Sequence, residues 1–519
     1  PSVLDTLTRL ADKSLVLVEQ HLGEAWYRYL EPIRQYARGR LEESGEAASV
    51  QARHRDWYLA LARRAQPELQ GSAQPTWFAR LELEHDNLRA ALAWSLAQPD
   101  GGVTAQRLGA SLVWFWYTCG YAREGDAWLR RALAHQSTPA VRAAATGAAA
   151  WLAHGMSDYA AGKTLYEESL SLYTELGNRR GQARVLCGLG NTVRAQGDVP
   201  PARASYQQSV QLFEAIAAEG GGPAPGLTPA DQSMLGAALI GLGDIALLDG
   251  EHNAARSLFE RALTLFRHLG DRTNVGWATY RLGDTALRVG DAPAARRFFD
   301  DALALYRETG AKRHLCGALN GLGRAALSEG DTAAARVFYE ESLATAREQG
   351  AKENVVDALL PLGRVAYYER DLHRAAALLE ESLALATAIG YANSVAWSLH
   401  TLGRVALARG DAGPATALLA RGLAGHHQIG EKRGIVAALE SSATAAAVLQ
   451  QPARAARLLG AAAALREVID LPLPLIDRPD YDRCAAAVRA ALSPDTLTAA
   501  WHAGRSLPLD RAVAEALDA

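Results

Sequence analysis

Several classes of protein are excluded by what this sequence has little of. Its 519 residues include only four cysteines, too far apart for a zinc site or a C-x-x-C motif: Cys119, Cys187, Cys316 and Cys484. We therefore expect free thiols and a cytoplasmic location. The net charge is only −3, with 54 basic and 57 acidic residues, so no overall charge draws the chain to nucleic acid or to a membrane. No apolar run approaches the ~20 residues of a membrane helix, and we expect neither a membrane span nor a secretory signal.

Motifs that carry chemistry are equally scarce. Gly162-Lys163-Thr164 resembles the end of a phosphate-binding P-loop, but Ser157 stands where the first glycine belongs, and the preceding segment has a helical pattern. His426 and His427 are adjacent, so on a helix they point about 100° apart, and no third metal ligand is evident. We predict a chain that is not an enzyme, with no catalytic residue, no metal site and no cofactor of its own.

One pattern repeats through the middle of the chain. Leu-Gly followed by Asp or Arg recurs every 40 residues, at 242–244, 282–284, 322–324, 362–364 and 402–404. Two further positions repeat every 40 residues. The first is a glycine, replaced once by Arg370, that precedes an acidic residue, at 250, 290, 330, 370 and 410. The second is a glycine at 270, 310, 350, 390 and 430. Self-similarity at a fixed period of this size indicates a solenoid.

Each unit has the features of two helices. Apolar residues follow helical spacing between Gly270 and Gly290. Gly290 is suited to ending that helix, and Asp291 to capping the next one. Within every unit a small residue follows the repeat glycine by twelve positions, an aromatic or leucine by sixteen, and another small residue by nineteen. An example is Gly283, Ala295, Phe299 and Ala302. Small side chains let two helix axes approach closely.

This order of small and large residues resembles the tetratricopeptide (TPR) repeat. The resemblance implies an all-α, TPR-like α-α superhelical solenoid of about eight helix pairs over residues 138–470. Thirteen extra residues predict a Gly/Pro-rich insert loop at about 217–229, either a flexible connection or a contact loop. Residues 471–519 then predict a Pro-rich crossing segment and a helical cap, with two short helices at about 480–492 and 494–503.

In a TPR stack the first helix of each pair lines the concave face, and the residue after the repeat glycine points into it. That position becomes an arginine in three successive units, and we predict that these three side chains share one groove. Arginine forks suit carboxylates and phosphates; the alternative is that they pair with acidic residues inside the stack. The candidate ligand-binding or partner-binding residues are Asp244, Trp277, Tyr280, Asp284, Asn320, Arg324, Arg364, Tyr367, Trp397, His400 and Arg404.

Residues 1–45 lie outside the repeat. A short helix over 4–11, two β-rich runs around Gly23 and a helix from Glu31 to about Glu43 predict the C-terminal part of a winged-helix domain with its β-hairpin. Residues 46–137 predict an irregular helical linker layer. Its aromatic cluster at 113–117 is either the core of that layer or a ligand pocket.

The N-terminal sequence resembles the junction after the nucleotide-binding module of bacterial STAND regulators, signal-transducing NTPases with an NB-ARC-like core. The resemblance covers about residues 10–96 and extends to LuxR-, MalT- and AfsR-like transcriptional regulators. The phrases that carry it are LADKSLVLVE, YRYLEPIRQYARGRLEESGE, RHRDWYLALA and LELEHDNLRAALAWSL.

The resemblance implies a sensor arm that binds a protein or small-molecule inducer and controls an upstream NTPase, and through it transcription or another output. The chain begins at Pro1 and has no P-loop. We therefore expect a monomeric piece of such a regulator, which contacts its own NTPase domain, where ATP or ADP would bind. The helix over 31–44 balances arginines against glutamates, so we expect no direct contact with nucleic acid and none with a membrane. The alternative function is a constitutive TPR scaffold for protein–protein interaction.

Overall fold

The computed structural model describes residues 3–21, 23–69, 73–219, 226–469 and 471–518. Within these ranges the chain forms 26 α-helices and one two-stranded antiparallel sheet. It consists of two compact units, the first containing residues 1–245 and 261–271, and the second residues 246–260 and 272–519.

The first unit begins with a helix, a hairpin and a second helix. These are α1 (Val3–Asp12), β1 (Val16–His21), β2 (Glu24–Tyr29) and α2 (Glu31–Glu43). The strands pair in antiparallel register from Val16 opposite Tyr29 to His21 opposite Glu24. This hairpin agrees with the sequence pattern, and Leu22 of its predicted turn lies outside the described residues.

An aromatic core joins the helices that follow. They are α3 (Ala47–Glu68), α4 (Gln74–Leu83), α5 (His85–Leu96), α6 (Gly102–Thr118), α7 (Ala122–Leu133) and α8 (Pro139–Gly155). Phe115 and Trp116 are fully buried, and the Trp114 ring packs against Tyr117 and Trp151. The cluster at 113–117 therefore forms the packed core of this layer, the first of the two alternatives.

Paired helices continue through the first unit and into the second. They are α9 (Tyr159–Glu175), α10 (Arg179–Ala195), α11 (Val199–Glu219), α12 (Pro229–Leu248) and α13 (His252–Leu269). Helix α11 continues to Glu219, so the predicted start of the insert loop at 217 is wrong. Residues 217–219 are Ala-Ala-Glu, which favour helix, and the glycine run begins only at 220. Residues 220–225 of the predicted loop lie outside the described ones.

Helix α12 corrects the expectation that no apolar run approaches the length of a membrane span. Among the described residues it is the one helix long and apolar enough by length and composition, and 67% of that stretch is buried. A helix packed inside a soluble core has the same composition. Its Gly241 lies against the Tyr206 ring, and Leu239 and Ile240 are buried, so α12 packs as a repeat helix.

The second unit is a row of helix pairs closed by three shorter helices. The pairs are α14 (Arg272–Arg288), α15 (Ala292–Thr309), α16 (Lys312–Ser328), α17 (Thr332–Glu348), α18 (Lys352–Tyr368), α19 (Leu372–Ile389), α20 (Ala392–Arg409), α21 (Ala412–Gln428), α22 (Lys432–Val448) and α23 (Pro452–Val468). The closing helices are α24 (Arg478–Ala491), α25 (Pro494–Arg505) and α26 (Leu509–Leu517). Helix α26 was not predicted; it buries Ala512, Val513 and Ala516 in the last core cluster.

The ends of helix α15 agree with the sequence pattern. Asp291 caps α15 by accepting a hydrogen bond from the Ala294 backbone N–H at 3.0 Å. Gly310 then ends α15 in the left-handed conformation, with φ of 69°. Phe299 fills the space between neighbouring pairs and is fully buried. The prediction of an all-α, TPR-like solenoid with a small N-terminal hairpin is confirmed.

Candidate binding groove on the inner helices

The first helices of successive pairs contact one another in the second unit. Helix α14 contacts α16, α16 contacts α18, α18 contacts α20, and α20 contacts α22. The residue after each repeat glycine therefore stands beside its counterpart on the next helix. We call this row of Asp284, Arg324, Arg364 and Arg404 the inner row.

A buried ion-pair cluster forms the first part of the inner row. The Asp284 side chain is only 5% exposed. Its carboxylate oxygens form ion pairs with guanidinium nitrogens of Arg324 at 2.8 Å, Arg288 at 3.4 Å and Arg281 at 3.5 Å. Arg324 also donates to the Tyr280 hydroxyl at 3.2 Å and lies over the Phe299 ring. Burial alone would raise the pKa of Asp284, but the positive charges of these arginines lower it to about 2.

The C-terminal segment supplies the carboxylates at the other end of the inner row. Arg404 donates to Asp477 at 2.9 Å and to Asp480 at 3.1 Å, and its side chain is only 13% exposed. Tyr368 donates its hydroxyl to Asp477 at 2.7 Å, and Tyr367 donates to Asp480 at 2.5 Å. Burial would raise the pKa of both carboxyls, and the Arg404 charge together with these hydroxyls holds it below the usual value.

Arg364 lies between these two groups and is different from both. It donates to the Tyr368 hydroxyl at 3.4 Å and lies 5.8 Å from the centre of the Trp397 ring. Within the described part of the chain, no carboxylate oxygen lies within 4 Å of its guanidinium group. The Tyr368 hydroxyl and the more distant Asp477 charge raise the pKa of Arg364, against the opposing effect of burial.

The structure decides between the two interpretations of the arginines one residue at a time. Arg324 and Arg404 pair with acidic groups of the chain itself, as the alternative interpretation has it. Arg364 does not. All three side chains lie along one face, since Arg364 and Arg404 both reach the Tyr368 hydroxyl at 3.4 Å, and the charges of Arg324 and Arg364 both act on Tyr339.

The remaining candidate residues are distributed between this face and the packed interior. Trp277 and Asn320 are half-buried on α14 and α16. Asp244 belongs to the first unit, where its carboxylate lies 3.9 Å from Arg194. His400 is a correction: it is 1% exposed and hydrogen-bonds Ser441 at 2.9 Å. At its position α20 faces α22, so the ring is enclosed by packing and does not line an open groove.

Sequence reasoning missed four residues of this site: Tyr339, Tyr368, Asp477 and Asp480. Asp477 and Asp480 lie three positions apart in a Pro-rich segment, and this pattern could have indicated a fixed acidic edge. Their partner Arg404 is 76 residues distant from Asp480, so no local pattern could pair them. Among the described residues, no group of three or more His, Cys, Asp and Glu could hold a metal ion.

A family model described as tetratricopeptide repeat matches residues 141–215, 234–308 and 278–348. These ranges fall on α8 to α17. They contain the small-and-large order described above, together with Asp244, Tyr280, Asp284 and Arg324. The chain therefore carries TPR repeats on both of its units.

The curated relatives are longer than the stretch they share with this chain. A protein of Mycobacterium tuberculosis (strain ATCC 25618 / H37Rv), provisionally named as an HTH-type transcriptional regulator, is 34% identical over 284 residues; the match covers 52% of this chain and 30% of that protein. An uncharacterized protein of the same strain is 50% identical over 52 residues, which is 10% of this chain and 13% of that protein. This chain thus spans less than a third of the relatives that are named as regulators.

Solved structures give partial similarity. A STAND protein with a tetratricopeptide repeat sensor from Pyrococcus horikoshii aligns with a TM-score of 0.44 and 13% identity, over 74% of this chain and 58% of that one. The quorum sensor NprR from B. thuringiensis aligns with a TM-score of 0.47 and 11% identity, over 74% and 96%.

Proposed function

We propose that this chain is the non-catalytic, ligand-binding arm of a signal-transduction regulator of the STAND class. In this proposal the inner row binds a protein or small-molecule inducer, and binding changes the state of an NTPase domain outside this sequence. ATP or ADP would bind in that NTPase, and transcription or another output would follow. The arm would act in the cytoplasm, without direct contact with nucleic acid or membrane.

One observation carries the proposal. The inner row binds carboxylates of its own chain on both sides of Arg364, and Arg364 itself has no carboxylate partner in the described parts of the chain. An arginine fork flanked by Tyr368 and Trp397 is suited to an anionic group of a ligand. A ligand that prefers one state of the arm by a few kcal/mol is sufficient to shift a two-state equilibrium.

Two further observations support the regulator class. The N-terminal phrases over about residues 10–96 resemble the junction that follows the nucleotide-binding module of STAND regulators. The relative that is 34% identical over about half of this chain is named as an HTH-type transcriptional regulator. Both observations support the proposal that this arm belongs to a regulatory protein.

A constitutive scaffold is the second candidate function. The pairing of Arg324 with Asp284, and of Arg404 with Asp477 and Asp480, favours it, because an inner row that is mostly neutralised internally does not require a ligand. A scaffold would hold its partner regardless of the nucleotide bound by any NTPase. This difference makes the two functions separable by experiment.

The test compares two single substitutions. The thermal unfolding of the 519-residue chain is followed with fractions of cell extract and with a library of small anions and nucleotides. Any ligand that raises the unfolding temperature is repeated on Arg364→Ala and on Arg297→Ala, an exposed arginine of the outer helix α15. Arg404 is left intact because its removal would take from the half-buried Asp477 and Asp480 the cation that they share.

We expect a stabilising ligand whose effect is lost in Arg364→Ala and kept in Arg297→Ala. The same ligand should change the nucleotide hydrolysis of the NTPase to which the arm belongs. If the ligand still stabilises both variants, the proposal that it binds at the inner row is contradicted. Binding at the inner row with unchanged nucleotide hydrolysis would favour the scaffold.

A further inference from the structure

Tyr339 is placed unusually for a buried tyrosine. It belongs to the outer helix α17, it is only 1% exposed, and its hydroxyl has no hydrogen-bond partner in the part of the chain that the structure describes. A buried hydroxyl without a partner is destabilising by about 1–3 kcal/mol. Buried polar groups of this kind are uncommon, and each requires an explanation.

A glycine opens the route from Tyr339 to the inner row. The Tyr339 ring packs directly on Gly323, where an added Cβ would lie 2.5 Å from the ring carbon that bears the hydroxyl. Gly323 immediately precedes Arg324 of the inner row. The ring therefore lies against α16 at a position where no side chain blocks it, and its buried hydroxyl end lies beside the inner row.

The first unit contains the same arrangement of tyrosine and glycine, and there the tyrosine hydroxyl has a hydrogen-bond partner. Tyr206 follows Gly190 by sixteen residues, as Tyr339 follows Gly323, and it packs on that glycine in the same way. Its hydroxyl donates to Asn191, the residue after the glycine, at 2.7 Å. A tyrosine at this offset thus delivers its hydroxyl to the position that in the second unit belongs to Arg324.

The charges around Tyr339 agree with this placement. Burial raises the pKa of Tyr339, while the positive charges of Arg324 and Arg364 lower it, and the hydroxyls of Tyr280 and Tyr368 also act on it. All four of these residues face the inner row. The equivalent positions in the flanking repeats of the second unit are Phe259, Phe299, Leu379 and Leu419, none of which carries a hydroxyl.

We infer that Tyr339 and Arg364 form a carboxylate-binding subsite of the inner row, with Arg324 at its edge. The Tyr339 hydroxyl and the Arg364 guanidinium group would both donate to one carboxylate of a ligand. The neighbouring group at Arg404 shows the same chemistry, because Arg404 with Tyr367 and Tyr368 holds Asp477 and Asp480. This inference rests on the proposed function, since it names the ligand group that the inner row would recognise.

The experiment uses a probe taken from the chain itself. A fluorescently labelled peptide amide with the sequence Asp-Arg-Pro-Asp, residues 477–480, is titrated with the 519-residue chain at low salt, because screening weakens such contacts. The variants are Tyr339→Phe, Arg364→Lys and the control Arg297→Ala. Phenylalanine occupies the equivalent positions 259 and 299, so Tyr339→Phe should fold normally and unfold at the same or a higher temperature.

We expect Tyr339→Phe to weaken binding about tenfold, because a donor to a charged acceptor is lost. Arg364→Lys should weaken it further, since lysine lacks the two-pronged fork, and Arg297→Ala should have no effect. A peptide with both aspartates replaced by asparagine should not bind. Equal affinity of Tyr339→Phe and the unsubstituted chain would overturn the inference, as would absence of binding to the unsubstituted chain.

Competition identifies the source of the carboxylate. Displacement of the peptide by succinate would indicate that a small dicarboxylic acid suffices, and resistance to succinate would indicate an acidic protein segment. Both results support a carboxylate subsite. Stronger displacement by inorganic phosphate than by succinate would overturn the assignment to carboxylates. If the subsite fails while ligand stabilisation still depends on Arg364, the proposed function survives and only the role of Tyr339 is lost.

Discussion

Arg404→Ala is the substitution that tests how the C-terminal segment is held against the inner row. Arg404 is the cation shared by Asp477 and Asp480, at 2.9 and 3.1 Å, and its guanidinium group also lies over the Tyr367 ring at 4.6 Å. Alanine would remove the charge and the stacking together. Both carboxylates would then remain in a site where about four-fifths of each side chain is buried.

The expected magnitude lies between two limits. Removing one partner of a buried ion pair destabilises by about 3–5 kcal/mol, whereas an exposed pair contributes only about 0–1 kcal/mol. The carboxylates are partly exposed and would keep their hydrogen bonds from Tyr367 and Tyr368. We therefore expect Arg404→Ala to destabilise the docked segment by about 2–3 kcal/mol.

Cys484 provides a local measurement of that effect. A repeat array does not unfold as one cooperative unit, so a single global free energy of unfolding is poorly defined. Cys484 lies on α24, just beyond the two aspartates, and its thiol is buried, which raises the pKa of that thiol. Alkylation of Cys484, quantified by mass spectrometry, therefore reports opening of α24.

Arg404→Ala should accelerate alkylation of Cys484 by about 30- to 160-fold, which is the factor that 2–3 kcal/mol represents. The control is Arg374→Ala, which removes a surface pair with Glu340 at 2.6 Å and should change the rate less than about fivefold. An unchanged rate in Arg404→Ala would refute the view that ion pairs hold the segment. An equal acceleration in both variants would do the same.

Three further predictions concern charge. Asp284→Asn should destabilise α14 and α16 by about 2 kcal/mol at neutral pH, as measured by hydrogen exchange. The pKa of Asp284 in the folded chain is lowered to about 2. The difference in stability between Asp284→Asn and the unsubstituted chain should therefore vanish as the pH falls from about 4 towards 2. Burial lowers the pKa of His426 to about 4, so its contribution to stability is present above about pH 6.5 and is lost as the pH falls towards 4. Hydrogen-exchange protection of α21 and α22 should decrease over that window, and less so in His426→Gln. Asp477→Asn should raise the affinity of the inner row for the labelled Asp-Arg-Pro-Asp peptide several-fold, because a negative charge near Arg364 is removed; Asp482→Asn, an exposed change on α24, should not.

The solenoid could be predicted from sequence because its determinants are local. Each repeat contacts mainly its neighbours, so a 40-residue period with Gly290 and Asp291 at the helix junction already determines a helix pair. The inner row could be predicted for the same reason, since Asp284 and Arg324 occupy equivalent positions in adjacent repeats. Their 2.8 Å contact joins residues that are one period apart.

Contacts that do not follow the period could not be predicted in this way. Tyr367 and Asp480 are 113 residues apart, and only the return of the C-terminal segment brings them together. The prediction that His400 lines the groove was wrong for a different reason. It stands one helical turn before Arg404, and a small rotation of α20 decides whether that position faces the groove or faces α22. The sequence carries no measure of that rotation.

The contacts of the inner row also connect a ligand at Arg364 to the C-terminal segment. The Tyr368 hydroxyl donates to Asp477 while it accepts from Arg364 and Arg404, and the Asp477 charge acts on Arg364. A ligand carboxylate at Arg364 would repel Asp477 and compete for these donors, so its binding would weaken the docking of α24. Linkage is reciprocal: if the ligand weakens docking of α24 by some factor, then undocking of α24 must strengthen carboxylate binding by the same factor. Under the proposed function, the inner row would therefore couple ligand binding to docking of the C-terminal segment, with Tyr368 as the residue that both processes share.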